Sequence, residues 1–515
     1  MARINTQNLR PLDALYGNTS LALLTDLYQI TMVYALWKRG LADKEGVFHG
    51  YFRKNPFNGG FAVASGLTHT VNYLERNRFD TSDLDALSEL ASGRGNRLFE
   101  DEFLTYLSRI KLSDGNFDAV PEGTFVFPHA PMSRYQGKMS HGMLLETPWL
   151  DMNGFASLIA TKACRVKIAA NGDPVLDFGL RRAQGIDGAL MASWAAFVGG
   201  ADATSNVLAY KLFGIPAKGT FSHAWPMSFD TGRGKRVIDL RYDHEYQSYL
   251  EYAQALPENC VFLVDTYGTI EGIRKAIEVC KWLREHGFEA IGIRLDSGDL
   301  AYLSKQGRRM LDRAGFKNVL VFGTNDLDEK LIFELKQKGA RIAVWGVGTK
   351  MITAYDQPAM GVVWKLAAWR MPGEAWNYPI KLSEDTIKVS TPGIMQVRRF
   401  AKRGHYLFDM IVNTEDAPKG DHYMIDPQDH TRRKLISRRA EFEDLLVPIT
   451  REGSIVYNVP SLAEHQARTK AQVKAFDDGI KTIVGTPEYQ YPVGLEEGLY
   501  RLKTDLILRA RGFAA

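Results

Sequence analysis

The chain has 515 residues, more than one ordinary domain accommodates, so we expect two or three domains. Hydrophobic residues make up 45% of the chain and charged residues 24%, which is the composition of a soluble globular protein. The formal net charge of +4 is small for this length. It argues against a nucleic-acid-binding surface but leaves room for a local basic pocket that binds phosphates.

The cysteines and the N-terminus indicate a cytoplasmic protein. Cys164, Cys260 and Cys280 show neither metal-ligand spacing nor a disulfide framework, as expected for buried thiols in a reducing compartment. The N-terminal stretch MARINTQNLR is basic but lacks the apolar segment of a signal peptide. No apolar run approaches the ~18 residues that cross a bilayer, so we expect no membrane contact.

The N-terminal region mixes helices and strands without a repeat. Residues 21–40 have the periodicity of an amphipathic helix, with Thr25 or Asp26 as candidate N-cap. Short strands are predicted at 46–52 and 121–127. These elements do not by themselves indicate a function.

From about residue 165, strand candidates alternate with helical segments, the pattern of βα units in a parallel sheet. The strand candidates are 260–264, 290–295, 319–322 and 342–345, and the helices are about 269–287, 299–314 and 326–339. A doubly wound sheet gives the same local pattern. Polar or glycine residues follow nearly every strand, however, and a (β/α) barrel builds its active site at those strand ends. We therefore favour the barrel.

The segment KGTFSHAW (218–225) contains a histidine that could accept a phosphoryl group. Gly219 lets the backbone approach a ligand, and the hydroxyls of Thr220 and Ser222 can hold an anion. Neutral imidazole is a usable nucleophile near pH 7, which makes His223 the candidate. A loop histidine is more commonly a structural hydrogen-bonding residue, so the motif is weak by itself.

The segment IRLDSGD ends another strand. Arg294 and Asp296 are two residues apart and share one face of a regular strand. Arg294 could hold a carboxylate or phosphate through two hydrogen bonds, and Asp296 could bind ribose hydroxyls or magnesium. Ser297 and Gly298 are predicted to begin a helix whose amides receive an anion. The alternative is an Arg–Asp ion pair with Ser297 as helix N-cap.

Two later strand ends present glycine and threonine, where barrels commonly bind phosphate. The candidate residues are Gly323, Thr324, Gly346, Gly348 and Thr349. Their backbone amides and hydroxyls suit a phosphate. The alternative is ordinary turn chemistry, with Thr324 or the following asparagine capping a helix.

Two further candidates lie earlier in the chain. Arg181, in DFGLRR, offers fixed positive charge to a polyanion such as pyrophosphate, or it belongs to a solvated basic pair. Tyr28, on the first predicted helix, could stack on a flat heterocycle, although from the residues alone a core position is favoured. Zinc clusters, Walker loops and nucleophile elbows do not occur in the sequence. The residues alone therefore indicate an enzyme that acts on a phosphorylated sugar.

The ordered set of these motifs resembles nicotinate phosphoribosyltransferases over most of the chain. It comprises LLTDLYQITMVYA, FRKNPFNGGFAVASGL, DFGLRRAQGIDGA, KGTFSHAW, VDTYGT, IRLDSGDL, VFGTND, GVGTK, DQPAMGVVWKL and EYQYPVGLEEGLYRLK. The resemblance implies an ATP-coupled ligase that joins nicotinate to 5-phosphoribosyl 1-pyrophosphate with magnesium. It implies an α/β fold, an irregular (β/α) barrel with an α/β sandwich domain built from N- and C-terminal segments. On this basis we expect segments 1–150 and 371–515 to form the sandwich and 151–370 the barrel.

The resemblance also assigns roles to matching positions. His223 matches the phosphorylated histidine, and Tyr28, Thr220 and Arg294 match contacts to nicotinate. Thr349 matches a contact to phosphoribosyl pyrophosphate. The remaining candidates for that substrate are Arg181, Asp296, Ser297, Gly298, Gly323, Thr324, Gly346 and Gly348, and no metal ligand is certain. A homodimer with a shared active site is implied, in which the neighbouring subunit often supplies the tyrosine.

Two alternatives stay open. The related enzyme that uses nicotinamide is expected to carry a carboxylate shortly after Gly219-Thr220 to bind the amide, and Phe221-Ser222 supplies none. A catalytically silent metabolite-binding relative is disfavoured by the joint presence of His223, Arg294 and Asp296.

Overall fold

The computed structural model describes residues 10–230, 239–384 and 389–513. Residues 1–9, most of the stretch that argues against a signal peptide, lie outside these ranges. The chain forms two compact units: residues 1–161 with 359–515, called here the terminal unit, and residues 162–358, the central unit. The segment boundaries expected near 150 and 370 stay predictions. No helix in the described ranges is long and apolar enough to span a membrane.

The N-terminal part of the terminal unit contains seven helices and five strands in its described residues. In chain order they are α1 (Pro11–Tyr16), α2 (Leu27–Lys38), β1 (Glu45–Phe52), β2 (Ala62–Val63), α3 (Leu67–Arg76), α4 (Thr81–Ser88), α5 (Asp101–Leu107), β3 (Asn116–Ala119), β4 (Phe125–Val126), β5 (Ser133–Lys138), α6 (Met139–Leu144) and α7 (Glu146–Ala170), whose last turns enter the central unit.

The central unit alternates strands and helices, as the sequence predicts. Its elements are β6 (Val175–Asp177), α8 (Gly185–Gly199), β7 (Ala203–Thr204), α9 (Val207–Phe213), α10 (Ala224–Met227), α11 (His244–Ala255), β8 (Val261–Leu263), α12 (Thr269–Glu285), β9 (Gly292–Leu295), α13 (Leu300–Arg313), β10 (Leu320–Gly323), α14 (Glu329–Gln337), β11 (Val344–Val347) and α15 (Thr349–Ile352).

The C-terminal part returns to the terminal unit and is mostly β-structure. It contains β12 (Val362–Arg370), β13 (Met395–Lys402), β14 (His405–Asn413), β15 (His422–Ile425), β16 (Arg433–Ile436), β17 (Phe442–Asp444), β18 (Val447–Arg451), β19 (Ser454–Ile455), α16 (Leu462–Ala475), β20 (Val493–Glu496) and α17 (Glu497–Ala510).

Two N-terminal elements are shorter than predicted. The helix expected over 21–40 begins only at Leu27, with Asp26 at its N-cap position, because the apolar residues before it form turns. The strand expected over 121–127 is reduced to Phe125–Val126. Gly123, with φ of +85°, breaks the extended backbone just before it.

The central sheet is parallel throughout, in the strand order β7-β6-β11-β10-β9-β8. Helix α12 buries Ile273, Ala276, Cys280 and Leu283, a spacing of three or four residues that forms one apolar stripe. This confirms the α/β class and the parallel βα organisation. No ladder joins β7 to β8 in the described residues, so closure into a barrel stays a prediction.

The first large sheet of the terminal unit joins both ends of the chain. Its order is β12-β1-β5-β3-β18-β19, so three strands from before the central unit lie in the middle and strands from after it flank them on both sides. Strand β1 pairs with β5 on one side and β12 on the other, and seven of its eight residues are buried. Neither end of the chain can therefore complete this sheet alone.

A second six-stranded sheet, in the order β16-β15-β20-β14-β13-β17, must curl. A flat sheet with strands about 4.8 Å apart would separate its outer strands by about 24 Å. Strands β16 and β17 are those outer strands, yet only residues 437–441 connect them. The six Cα steps from Ile436 to Phe442 span at most about 21 Å, and a turn from Ser437 to Ala440 shortens this further.

A buried ion pair fastens the curled sheet to the N-terminal segment. Arg399 of β13 contacts Asp409 of β14 through two bonds of 2.8 and 2.7 Å, and both side chains are essentially inaccessible. Arg399 also donates to the Phe125 carbonyl (2.8 Å) and to Gln472 Oε1 (3.1 Å), while the Tyr491 hydroxyl donates to Asp409. Burial alone would lower the pKa of Arg399, but Asp409 raises it above its ordinary value.

We predict that Arg399→Met lowers the free energy of unfolding by about 3–5 kcal/mol, because Asp409 becomes a buried charge without its counterion. Urea unfolding followed by intrinsic fluorescence measures this loss. The double variant Arg399→Met/Asp409→Leu should lose less than the single variant, and Arg432→Met, at an exposed position, should match wild type. A double variant as unstable as the single one would contradict the argument.

Candidate functional site

The carboxyl ends of four neighbouring strands meet at one edge of the central sheet. Strand β9 lies between β8 and β10, with Arg294 opposite both Leu263 and Phe322. Hydrogen bonding continues past the strand ends, since the Thr324 N–H donates to the Leu295 carbonyl at 2.9 Å. The polar residues that follow β8, β9 and β10 in sequence therefore become neighbours in space.

Arg294 is the centre of this edge. Its Nε donates to Thr324 Oγ1 (3.0 Å), its Nη1 to Thr220 Oγ1 (2.8 Å), and its Nη2 lies 3.1 Å from Asp296 Oδ1. A weaker contact of 3.5 Å joins Nη1 to the Phe221 carbonyl. The side chain is 12% exposed. The Arg–Asp ion pair expected as the structural alternative is thus present, and the two predicted nicotinate contacts, Thr220 and Arg294, are adjacent.

Asp265 and Asp296, which follow β8 and β9, are linked through the backbone of Asp296 and are called here the carboxylate pair. The Asp296 N–H donates to Asp265 Oδ2 at 3.1 Å, and the Ser297 hydroxyl donates to the same oxygen at 2.5 Å. The other oxygen, Asp265 Oδ1, is buried and has no hydrogen-bond partner in the described residues. A buried carboxylate oxygen in this state is suited to a ligand that the chain itself does not supply.

His223 lies beside these carboxylates. Its Nδ1 is 3.1 Å from Thr266 Oγ1, and its Nε2 is 3.7 Å from Asp296 Oδ2. The imidazole is 41% exposed, so a substrate can reach it. When Nδ1 carries the proton and donates to Thr266, Nε2 keeps its lone pair and can act as a nucleophile.

The segment before His223 crosses the edge of the sheet. At Ala217 it forms a parallel bridge to Thr204 of β7, and only three residues later Thr220 accepts a hydrogen bond from Arg294 of β9. Gly219 has open space where a side chain would project. The crossing brings the histidine motif to the strand ends from a distant part of the chain.

Ser297 and Gly298 do not begin helix α13, which corrects the prediction. The helix begins at Leu300, and Asp299 is its N-cap, accepting from the Tyr302 N–H at 2.9 Å. Gly298 instead has φ of +77°, a turn conformation that glycine adopts without strain. Ser297 is exposed and engaged with the carboxylate pair.

The threonine after β10 likewise does not cap the next helix. Thr324 is buried, bonds Arg294 and Asp296, and leaves the N-cap of α14 to Asp328. The neighbouring Asn325 has φ of +84° and stays exposed. The alternative of ordinary turn chemistry is therefore wrong for this threonine, because its hydroxyl is used within the polar cluster.

Strand β11 continues two residues beyond its predicted end at Trp345. Gly346 is buried inside it, where a Cβ would approach Thr324 Cγ2 to 2.7 Å, so close packing accounts for this glycine. Gly323 ends β10 and is similarly confined, by Ile342. Gly348 and Thr349 lie at the amino end of the short helix α15 and are half-buried.

Arg181 takes no part in the hydrogen bonds that surround Arg294 in the described residues. Arg181 is exposed on a short 3-10 helix after β6, in the central unit. The preceding Asp177 is buried and accepts bonds from Gly179, Ser193 and Thr204, which do not fully offset the burial that raises its pKa. Tyr28 belongs to the terminal unit and is 48% exposed.

Sequence reasoning assigned no role to Asp265 or Thr266. Both follow strand β8 directly, in the motif VDTYGT, so their position after a strand was the available signal. Their importance depends on contacts with residues 223 and 296, which the sequence does not specify. No group of three or more His, Cys, Asp or Glu side chains is placed to hold a metal within the described ranges.

Comparisons with known proteins agree on one family. Family models for the nicotinate phosphoribosyltransferase N-terminal and C-terminal domains match residues 23–152 and 395–503. The nicotinate phosphoribosyltransferase of Bacillus subtilis (strain 168) is 38% identical over 501 residues, covering 96% of both chains. That of Dictyostelium discoideum is 34% identical over 525 residues, covering 93% of this chain and 87% of the relative.

A solved structure adds the fold. The crystal structure of human Nicotinic Acid Phosphoribosyltransferase matches with a TM-score of 0.80 and 30% sequence identity, covering 94% of this chain and 100% of that one. Identity of this extent over almost the entire chain is family-level similarity. This chain belongs to the nicotinate phosphoribosyltransferase family.

Proposed function

We propose that this protein transfers the phosphoribosyl group of 5-phosphoribosyl 1-pyrophosphate to nicotinate, forming nicotinate mononucleotide and pyrophosphate for NAD biosynthesis. We further propose that ATP hydrolysis drives the reaction through a phosphorylated His223. The observation that carries the proposal is the cluster of Arg294, Thr220, Thr324 and Asp296, beside an accessible histidine, in a member of this family.

The free donors of Arg294 are evidence for a substrate that bears a carboxylate. Its three short contacts use one hydrogen each of Nε, Nη1 and Nη2, so one Nη1 and one Nη2 hydrogen remain, apart from the weak contact to the Phe221 carbonyl. Those two hydrogens match the two oxygens of a carboxylate. Thr324 and Asp296 fix the guanidinium plane before the substrate binds. Tyr28, contributed by a second subunit of the proposed homodimer, would stack on the pyridine ring.

The sugar transfer makes a bond from the nicotinate nitrogen to ribose C1 as the bond from C1 to pyrophosphate breaks. The leaving group requires positive charge and amide donors more than an acid or a base. Arg181, the loop at Gly348 and Thr349, and the turn at Ser297-Gly298 are the proposed donors to the phosphates.

Magnesium fits the carboxylate pair. Magnesium is usually held by one or two carboxylates together with substrate phosphates, and Asp265 presents a buried oxygen without a partner next to Asp296. These two residues would hold the ion. When bound, it would supply charge that stabilises the departing pyrophosphate.

Phosphorylation of the histidine uses the same edge of the sheet. Nε2 of His223 attacks the γ-phosphorus of ATP, the bond to the ADP oxygen breaks, and ADP leaves. In the tautomer in which Nδ1 donates to Thr266, Nε2 carries the lone pair that the attack requires. Water later releases phosphate from the histidine. Asp296, 3.7 Å from Nε2, balances the positive charge of the ring.

We predict a preference for nicotinate over nicotinamide of roughly tenfold to over a hundredfold in kcat/KM. Losing a hydrogen bond to a charged group costs about 1.5–3 kcal/mol, and a neutral amide offers Arg294 one acceptor oxygen and an NH2 donor in place of two charged acceptor oxygens. Initial rates with each base, with and without ATP, give the ratio. Equal kcat/KM for the two bases would exclude Arg294 as a carboxylate site and favour the nicotinamide alternative.

Arg294→Lys should lower kcat/KM for nicotinate by about tenfold or more, because lysine keeps the charge but loses the planar pair of donors. Steady-state kinetics with varied nicotinate measure the effect. Arg313→Lys, at an exposed position on α13, is the matched control and should behave as wild type. An Arg294→Lys variant with unchanged kcat/KM would remove this residue from the proposed site.

His223 should acquire an alkali-stable, acid-labile label from γ-phosphate-labelled ATP and magnesium. His223→Asn should lose the label and the stimulation by ATP, whereas His286→Asn, at an exposed histidine of the same unit, should keep both. Slow ATP-independent synthesis should persist, because the sugar transfer does not use the histidine as a base. Undiminished phosphohistidine in the His223→Asn protein would refute the assignment.

A further inference from the structure

The curled C-terminal sheet contains a basic cavity that the proposed reaction does not use. The cavity measures about 70 Å³ and is lined by residues of β13 to β17 and the loops between them. Four of its lining residues are cationic or can become so: Arg398, Lys419, His422 and Arg438. None of the lining residues, all of which are described, is acidic. The cavity therefore concentrates positive charge at one end of the sheet.

Arg398 lines this cavity with a donor that makes no hydrogen bond. Its Nε is buried and has no hydrogen-bond acceptor in the described part of the chain. Asp444 Oδ1 lies 3.5 Å from this nitrogen and forms a long ion pair with it, and that carboxylate is 48% exposed. The guanidinium stacks 4.4 Å from the ring of Phe442, which fixes its plane. A buried, oriented donor that has an anion nearby but no hydrogen bond can donate to an external ligand.

His422 presents a second atom without a partner. Its Nδ1 is 2.9 Å from the Gly420 carbonyl, which can only accept, so Nδ1 carries the proton. Nε2 is buried and has no partner in the described residues. In the neutral ring it accepts a hydrogen bond, and in the imidazolium it donates one. Either state suits a ligand that has both a hydroxyl hydrogen and negative oxygens.

We propose that this cavity binds a phosphate-type oxyanion, separately from the candidate active site. A hydrogen phosphate or phosphate monoester is small enough for the cavity, accepts from Arg398, and can donate from its P–OH group to His422. Lys419 and Arg438 are exposed at the rim and add long-range attraction. Asp421, the other nearby acid, accepts from the Arg438 N–H and does not line the cavity.

The test is titration calorimetry of the full-length protein with inorganic phosphate at pH 7.5 and constant ionic strength. The double variant Lys419→Gln/Arg438→Gln should bind phosphate at this site about tenfold more weakly or worse, since each exposed charge contributes to holding the anion. Arg439→Gln removes a neighbouring exposed charge that does not line the cavity and should leave the affinity unchanged. Wild type, the double variant and Arg439→Gln have the same candidate active site. Any phosphate that binds there therefore contributes equally to all three titrations.

Two further probes identify the ligand. Binding of AMP that is tighter than phosphate, and lost in the double variant, would assign the site to nucleotide phosphates; equal affinities would assign it to free phosphate. Sulfate, which carries the charge but has no hydroxyl hydrogen at pH 7.5, should bind more weakly than phosphate. A double variant that binds phosphate as wild type does, or sulfate that binds wild type as tightly as phosphate, would overturn the proposal. Failure of the transferase assays would leave these results unaffected.

Discussion

The parallel pairing of β8, β9 and β10 is the constraint on which the candidate site depends. Parallel strands place their carboxyl ends at the same edge, and here the bonds continue into the residues beyond the strands. Asp265, Asp296 and Thr324 are about thirty residues apart from one to the next in the sequence, yet they become hydrogen-bonded neighbours. A change of register in any one of these strands would move the polar residue that follows it away from the other two.

Arg294 is held in place before any substrate binds. A guanidinium fixed by Thr220, Thr324 and Asp296 loses little conformational entropy when it contacts a carboxylate. The same contacts explain why lysine is a poor replacement, since one ammonium nitrogen cannot reproduce the planar fork of donors on three nitrogens. The residue thus serves both to assemble the edge and, in the proposed function, to select the substrate.

The terminal unit joins chain segments that are more than 250 residues apart in the sequence. Strand β1 lies between β5 and β12, so the first large sheet needs both segments. The Arg399–Asp409 pair reaches from the curled sheet to the backbone of Phe125 and to Gln472 on α16. These buried polar contacts are satisfied only in one arrangement, which gives the unit a specific structure as well as stability.

The sequence by itself determined the repeating βα pattern, the helices α12, α13 and the strands β8 to β11 to within two or three residues, because apolar periodicity is a local property. It also placed Thr220, His223, Arg294 and Thr324 among the candidates, since each belongs to a recognisable motif. Helix starts were less predictable. Ser297 is predicted to begin α13 or, in the alternative, to cap it, but Asp299 is the N-cap and the serine hydroxyl bonds Asp265 instead.

Only the tertiary structure decided which of these motifs meet. His223 contacts Thr266, and Gly346 is confined by Thr324 and Phe178; both contacts join residues from different βα units. The burial of an Asp265 oxygen without a hydrogen-bond partner in the described residues is likewise a result of the tertiary structure. The curl of the C-terminal sheet, and the basic cavity it creates, follow from a connection of five residues between strands at opposite edges. Such long-range pairings depend on strand order and register, which local patterns of polar and apolar residues do not specify.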